Sequence, residues 1–267
     1  LIAQKLKTHY AKVNIKNNSK MVRQFMAHKK ACVMQSNYIP WKGYFDLIRH
    51  SDVFIFLDDV QYTKETWRNR GLVKSSIGLQ WLSVPVDYKY SAVPAIQDIT
   101  VANTGWSKKH LDRLSSYYRW APFYEETMAY LKTIYEVVRG FTHLSDINHF
   151  LLRHISDKLG IETIFHTSSE LLERDVLAGF SHNADRLVRL CKAVGADICL
   201  NGPSAKAYTD DDYCDAHGVK VLYADYSHYC EYPQLHGDFH HGVSIIDLLM
   251  MTGADARSYL SDRLFDF

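Results

Sequence analysis

A chain of 267 residues that is 47% apolar can bury a full core, which excludes a wholly disordered protein and fits one large domain or two small ones. No apolar run approaches the roughly 18 residues a bilayer span needs, and the amino-terminal stretch is too polar for a secretory signal, so a cytoplasmic location is expected. The net charge of +1 is uneven: residues 1–30 hold eight Lys/Arg and no Asp/Glu, leaving 23 basic against 30 acidic residues elsewhere, or −7.

That basic leader has no periodic apolar face and no aromatic interleaving, so it reads as a disordered tail, and no specific nucleic-acid partner is expected. Leu1 is not an initiator, and Met21 and Met26 closely precede the first strand, so nothing functional is assigned to residues 1–20. A single domain is expected over 31–267. Cys32, Cys191, Cys199, Cys214 and Cys230 show no C-x-x-C spacing and are expected to be reduced thiols, with no structural metal.

In chain order, Ala31-Cys32-Val33-Met34 reads as a short buried strand, Phe45 to Arg49 as a helix and Ser51 to Leu57 as a second strand. The polar, aromatic loop Gln35-Ser36-Asn37-Tyr38-Ile39-Pro40-Trp41 lies between the first two. Asp58-Asp59 ends the second strand. Ligands of open α/β sheets bind at the carboxyl ends of strands, so both segments point to a site. Gln61 to Gly71 reads as a binding loop, Leu79 to Val86 as a strand and Ile96 to Val101 as a weaker one. From Trp106 to about Leu159 the pattern is helical, with pieces at Ser107–Tyr118, Tyr124–Val138 and His143–Leu159, forming an insert or lid. Ile161–Phe165 is expected as a strand, Asn183–Val194 as a helix stopped by Gly195, and Asp197–Leu200 as a strand leading into Asn201-Gly202-Pro203-Ser204. Val219–Tyr223 and the helix Ser244–Met251 complete the series.

Within this frame Gln35, Asn37 and Tyr38 offer hydrogen bonds to a sugar or base, against a turn stapled by amides. Asp58 and Asp59 offer a general base or a Mg²⁺ site, against simple capping. Lys64, Arg68, Asn69 and Arg70, with Trp67 among them, offer a clamp for a diphosphate or carboxylate, against a solvated loop. His228 or His236, near Asp225, Tyr232 and Gln234, offers general acid–base chemistry.

Taken together, Gln35 to Phe45, Phe56-Leu57-Asp58-Asp59-Val60-Gln61-Tyr62, Trp67-Arg68-Asn69-Arg70, Asn201-Gly202-Pro203-Ser204-Ala205-Lys206-Ala207-Tyr208 and Leu235-His236-Gly237-Asp238-Phe239 with Ser244 to Leu249 resemble the bacterial WbqC-like family. The resemblance covers about residues 31–255. Met34 and Ser36 depart from it, since the family pattern tends to have His and Pro around the first Gln. It implies an association with O-antigen and other surface polysaccharides, and transfer of a glycyl or acyl group. It also adds Trp41, Ser204, Lys206 and Tyr208 to the substrate-binding candidates. Trp41-Lys42-Gly43-Tyr44 further stands where His-x-Gly-His stands in nucleotidyltransferase-like proteins, at a helix start that could hold an anion.

The expected architecture is α/β with a Rossmann-like, mainly parallel sheet, nucleotidyltransferase-like folds being a variant of it, and a helical insert at about 106–159. The expected protein is an enzyme that joins a small acyl or aminoacyl group to an amino sugar on a nucleotide or lipid carrier. Asp58, Asp59 and His228 are its catalytic candidates. If ATP activates the donor, Lys206 with Arg68 or Arg70 would meet phosphate and Asp58 or Asp59 would hold Mg²⁺. The alternatives are nucleotidyl transfer and a non-catalytic protein that binds glycans or nucleotide sugars.

Overall fold

The computed structural model describes residues 28–88, 93–172 and 182–266. Most of the basic leader lies outside the described residues, but its last part belongs to the fold: Lys30 opens the first strand and His28 contacts Asp197.

A βαβ unit begins the chain: β1 (Lys30–Met34), α1 (Lys42–His50) and β2 (Val53–Phe56). After it come the hairpin β3 (Arg70–Ser75) and β4 (Gly78–Ser83), the ribbon strands β5 (Val86–Asp87) and β6 (Thr100–Val101), and three helices, α2 (Trp106–Tyr118), α3 (Tyr124–Val138) and α4 (Leu144–Lys158). The chain then rejoins the sheet through β7 (Ile164–Thr167), α5 (Ser168–Leu171), α6 (Asp185–Ala193), β8 (Ile198–Asn201), α7 (Asp211–Ala216) and β9 (Lys220–Tyr223), and α8 (Ile245–Thr252) follows.

Five strands make one parallel sheet in the order β7-β2-β1-β8-β9. Numbered by appearance within that sheet the order is 3-2-1-4-5, the doubly wound, Rossmann-like arrangement, whose switch point falls between β1 and β8. Both faces are covered, which is why β2 is buried at every position and reads as an unbroken apolar run. Side chains alternate between the faces. Cys32, Phe54, Phe56 and Leu200 join the larger core with α1, the three insert helices and α8, whereas Ala31, Val33, Val53, Ile55 and Cys199 meet α6 and α7 on the other side.

The insert packs into the larger core, since Leu114, Leu131 and Leu151 are fully buried there. It is a much enlarged crossover between β2 and β7. The helix α8 is buried along its whole length, in keeping with its nearly uniform apolar sequence. Ser244 caps it through its side chain, and the backbone N–H groups of Ser244 and Ile245 donate to Leu72 and Pro40 at 2.7 and 2.8 Å.

The structure departs from the sequence expectations at several points, and of the weaker strand expected at Ile96 to Val101 only Thr100–Val101 is strand, Ile96–Asp98 being a 3₁₀ turn. The strand expected at 161–165 lies at Ile164–Thr167, because Ile161 and Gly160 (φ 65°) close the end of α4 through Ile161 N–H to Ser156 O and Gly160 N–H to Asp157 O. The carboxyl end of the expected loop Gln61–Gly71 is already strand, since Arg70 and Gly71 pair with Ser83 and Leu82. The helix α7 follows an Asp210 cap on Tyr213 N–H and was not read from the sequence. No helix among the described residues is long and apolar enough to cross a membrane.

A buried relay fastens the insert to the first loop. His110 accepts from the Tyr38 hydroxyl at Nδ1 (2.8 Å) and donates from Nε2 to Ser83 O (3.1 Å), while Tyr38 also meets the Tyr135 hydroxyl at 2.5 Å. Burial pushes the His110 imidazole down to about 4 from 6.5. The unfolded chain therefore takes up this proton first as pH falls. The His110 contribution is complete above pH 6.5 and is lost towards pH 4, a change of about 3 kcal/mol. Urea unfolding between pH 8 and pH 4 should show this slope in the parent and a flatter one in His110→Asn.

Candidate functional site

The carboxyl ends of β1, β2, β7 and β8 share one edge of the sheet, and the loops there are held by side chains from distant segments. After β1 the chain turns through Ile39 (φ 37°), and Tyr38 N–H donates to Trp67 O at 2.9 Å. That bond brings the 61–69 loop over the 35–40 loop. Arg68 then reaches inward, its guanidinium donating to the side-chain oxygens of Gln35 and Asn37. Both partners are neutral amides. Burial lowers the ordinary pKa of this group, opposed by Tyr44, Asp58 and Tyr208, yet a guanidinium stays charged in any protein. Arg68 is thus a half-buried cation whose direct partners leave its charge unmatched.

Asp58, at the end of β2, is 3% exposed and takes a proton donor at each oxygen: Ser36 N–H at 2.8 Å on Oδ1 and His149 Nε2 at 2.7 Å on Oδ2. His149 comes from α4 and stacks on Phe56 with ring centroids 4.0 Å apart. Its neighbour Asn148 is fully buried and donates to Ser36 Oγ (3.1 Å) and Arg68 O (2.8 Å). An imidazole that donates from Nε2 carries its lone pair on Nδ1, so the pair has the form of a base oriented by a carboxylate.

Asp58 and His149 line a cleft of about 450 Å³ with Asp98, Asp146, His143, Ser145 and Ser168, among others. Among the described residues that line it there are three carboxylates and no Lys or Arg. The field in this cleft favours a cation such as an ammonium group. A second cleft, of about 180 Å³, opens beside it at the ends of β1 and β8, lined by Asn201, Tyr208 and Arg186 among others. Asp59 stands between the two: Ser168 Oγ donates to its Oδ1 at 2.6 Å, and Arg186 pairs with the same oxygen.

The structure therefore brings Gln35, Asn37, Arg68 and Asp58 together, with Tyr208 close enough to act on the Arg68 charge. Other candidates have different surroundings. Tyr38 is fully buried in the relay to His110, and Asn69 is turned inward, donating to Val84 O at 3.0 Å. Trp41 packs against Tyr226 and Tyr229 and folds over Gly43, where an added Cβ would lie 2.3 Å from the indole. Lys42, 2% exposed, donates to the carbonyls of Cys230 and Tyr259. The helix start compared with His-x-Gly-His is thus packed with side chains of its own. Ser204 and Lys206 are exposed on the 3₁₀ turn Pro203–Ala207. Trp67 is exposed beside Trp81, and the guanidinium of the half-buried Arg70 lies against the Trp81 ring. His228 lies in an exposed loop 3.9 Å from Asp225, at a small cleft with Arg263 and Phe265 that shares no lining residue with the two at the sheet edge.

A Mg²⁺ ion fits these carboxylates poorly. Both oxygens of Asp58 already accept hydrogen bonds and Asp59 is held by Arg186, so each is better suited to positioning neighbours than to ligating a hard cation. Sequence reasoning missed His149 and Asn148. The signal was a buried amide on the apolar face of a helix, between Ile147 and Leu151, followed by an imidazole.

The chain is an α/β protein with a doubly wound parallel sheet and two clefts at its carboxyl edge, one of them lined by carboxylates. The profile of the WbqC-like protein family matches residues 35–259, and the chain belongs to that family. It is 41% identical over 232 residues to the uncharacterized protein Rv1507c of Mycobacterium tuberculosis, covering 87% of this chain and 97% of that protein. No solved structure matches.

The Asp59–Arg186 contact yields a stability prediction. Asp59 has a side chain only 3% exposed, so Arg186→Met strands its charge and should lower unfolding stability by about 3 kcal/mol in urea titration. Arg186→Lys should restore part of the loss.

Proposed function

We propose that the chain is a transferase of bacterial surface-glycan assembly, acting in the cytoplasm, that places a small acyl or aminoacyl group, such as glycyl, on the amino group of a sugar carried by a nucleotide or lipid phosphate. The observation that carries this reading is the Asp58–His149 pair, 2.7 Å apart, in a cleft lined by three carboxylates and no Lys or Arg. An acidic lining attracts the ammonium form of an amino sugar. The bound ammonium first gives one proton to solvent water, which frees the nitrogen lone pair; His149 takes the second proton as that nitrogen bonds to the acyl carbon, and Asp58 stabilises the imidazolium so formed. The acyl group's former carrier leaves with the bonding electron pair.

Arg68 supports the second half of the reading. A phosphate on the carrier would supply the negative charge that Gln35 and Asn37 do not, at the switch point where α/β sheets hold such groups. Lys206, Ser204 and Tyr208 stand exposed at the same edge and can extend that contact. The acidic cleft disfavours a triphosphate there, so an acyl donor activated beforehand suits it better than ATP with Mg²⁺. The same charge argues against nucleotidyl transfer.

The test is direct. The protein is incubated with uridine- and thymidine-diphosphate amino sugars and a set of glycyl and acyl thioesters, and amide products are followed by mass spectrometry. His149→Ala and Asp58→Asn should each lower kcat by about 10²–10⁴-fold in the folded protein, and His149→Ala, which takes the donor from a buried Asp58 oxygen, should also lower the melting temperature. Arg68→Gln should act mainly on KM. Undiminished turnover in His149→Ala would overturn the assignment.

A further inference from the structure

The hairpin β3–β4 carries a feature that the transfer site does not use. Trp67 and Trp81 leave 40% and 37% of their surfaces in solvent, although indoles are among the side chains most favoured for burial. They are nonetheless ordered against each other, with ring centroids 5.0 Å apart and planes at 60°. The Arg70 guanidinium lies 4.2 Å from the centre of the Trp81 ring. Among the described residues Arg70 forms no ion pair, so its charge is held in place on the aromatic surface without an acidic partner. The outer row of β4 continues the patch through Leu79, 42% exposed, and Ser83, which pairs with Arg70 across the hairpin.

We propose that Trp67, Trp81 and Arg70 form a saccharide-binding platform that takes an anionic sugar unit of the carrier-linked substrate, outside the cleft where the amine reacts. Indoles inclined at 60° to each other present two apolar faces to the C–H groups of a pyranose ring, and the guanidinium meets a carboxylate or phosphate on it. Continuity with the transfer site supports this occupant. Trp67 and Arg68 are adjacent in a loop pinned by Tyr38 N–H, so their Cα atoms are about 3.8 Å apart while one side chain turns out and the other turns in. A phosphate on Arg68 therefore brings the neighbouring sugar to Trp67. The inference rests on the transferase reading for the identity of the glycan, but its test measures binding alone.

Fluorescently labelled protein is applied to an array of bacterial surface glycans containing neutral, carboxylated and phosphorylated members, and hits are titrated by intrinsic tryptophan fluorescence. Binding should favour the anionic glycans, and comparing the carboxylated with the phosphorylated members shows which group Arg70 meets. Affinity should weaken at least about tenfold in Trp81→Ala and in Arg70→Gln, while the turnover of His149→Ala reports the transfer site separately. Trp67→Phe guards against a folding defect, since it keeps an aromatic face and should retain most of the binding. No bound glycan, or binding indifferent to Trp81 and Arg70, would overturn the platform. So would a concentration-dependent dimer, or association with anionic vesicles, that Trp81→Ala abolishes, since the patch would then serve another occupant.

Discussion

The buried carboxylate of Asp58 ties together three segments that are far apart in sequence. Its own position ends β2, one oxygen takes the backbone N–H of Ser36 just after β1, and the other takes the imidazole of His149 from the last insert helix. A carboxylate at 3% exposure is costly unless both oxygens are satisfied, and here each has a donor at 2.7–2.8 Å. The loop after β1, the edge of the sheet and the insert are thereby fixed relative to one another. Asn148 adds a second tie between the same parts through Ser36 and Arg68 O.

That arrangement explains why so large a crossover separates β2 from β7. A single helix would complete the right-handed connection. The longer one delivers His149 to the sheet edge, buries Leu114, Leu131 and Leu151 in the core that supports it, and carries the hairpin whose preceding loop supplies Arg68. The edge then has opposite electrical characters a short way apart: a guanidinium held by neutral amides over the first loop, and a cleft of three carboxylates beside it. A substrate with both an amine and a phosphate would find complementary charge at each end.

Much of the fold was legible in the sequence because its signals are local. The apolar runs at 31–34 and 53–56, the helical spacing between 106 and 159, and the turn formers after Asn201 each act within a few residues. The loop around Gln35 and the Asp58 position were readable as strand ends for the same reason. His149 was not, because its meaning depends on a carboxylate 91 residues away and on a ring stacked beneath it. Tyr38 misled for the converse reason: a tyrosine in a polar loop looks available, and only the tertiary partners His110 and Tyr135 show where its hydroxyl goes. The helix start at Trp41-Lys42-Gly43-Tyr44, read as a place for an anion, is likewise closed by tertiary partners: carbonyls from two distant segments, Cys230 and Tyr259, hold the Lys42 ammonium in the interior.

The central claim is that Asp58 orients His149 as a base, and the tautomer of that ring tests it most directly. Nitrogen-15 NMR of the histidine side chains, with His149 assigned by its loss in His149→Ala, reads the proton position on each ring nitrogen near neutral pH. The account predicts a proton on Nε2, hydrogen-bonded to Asp58, and a bare Nδ1, with that preference lost in Asp58→Asn. A proton on Nδ1 with a bare Nε2 facing the carboxylate would contradict it.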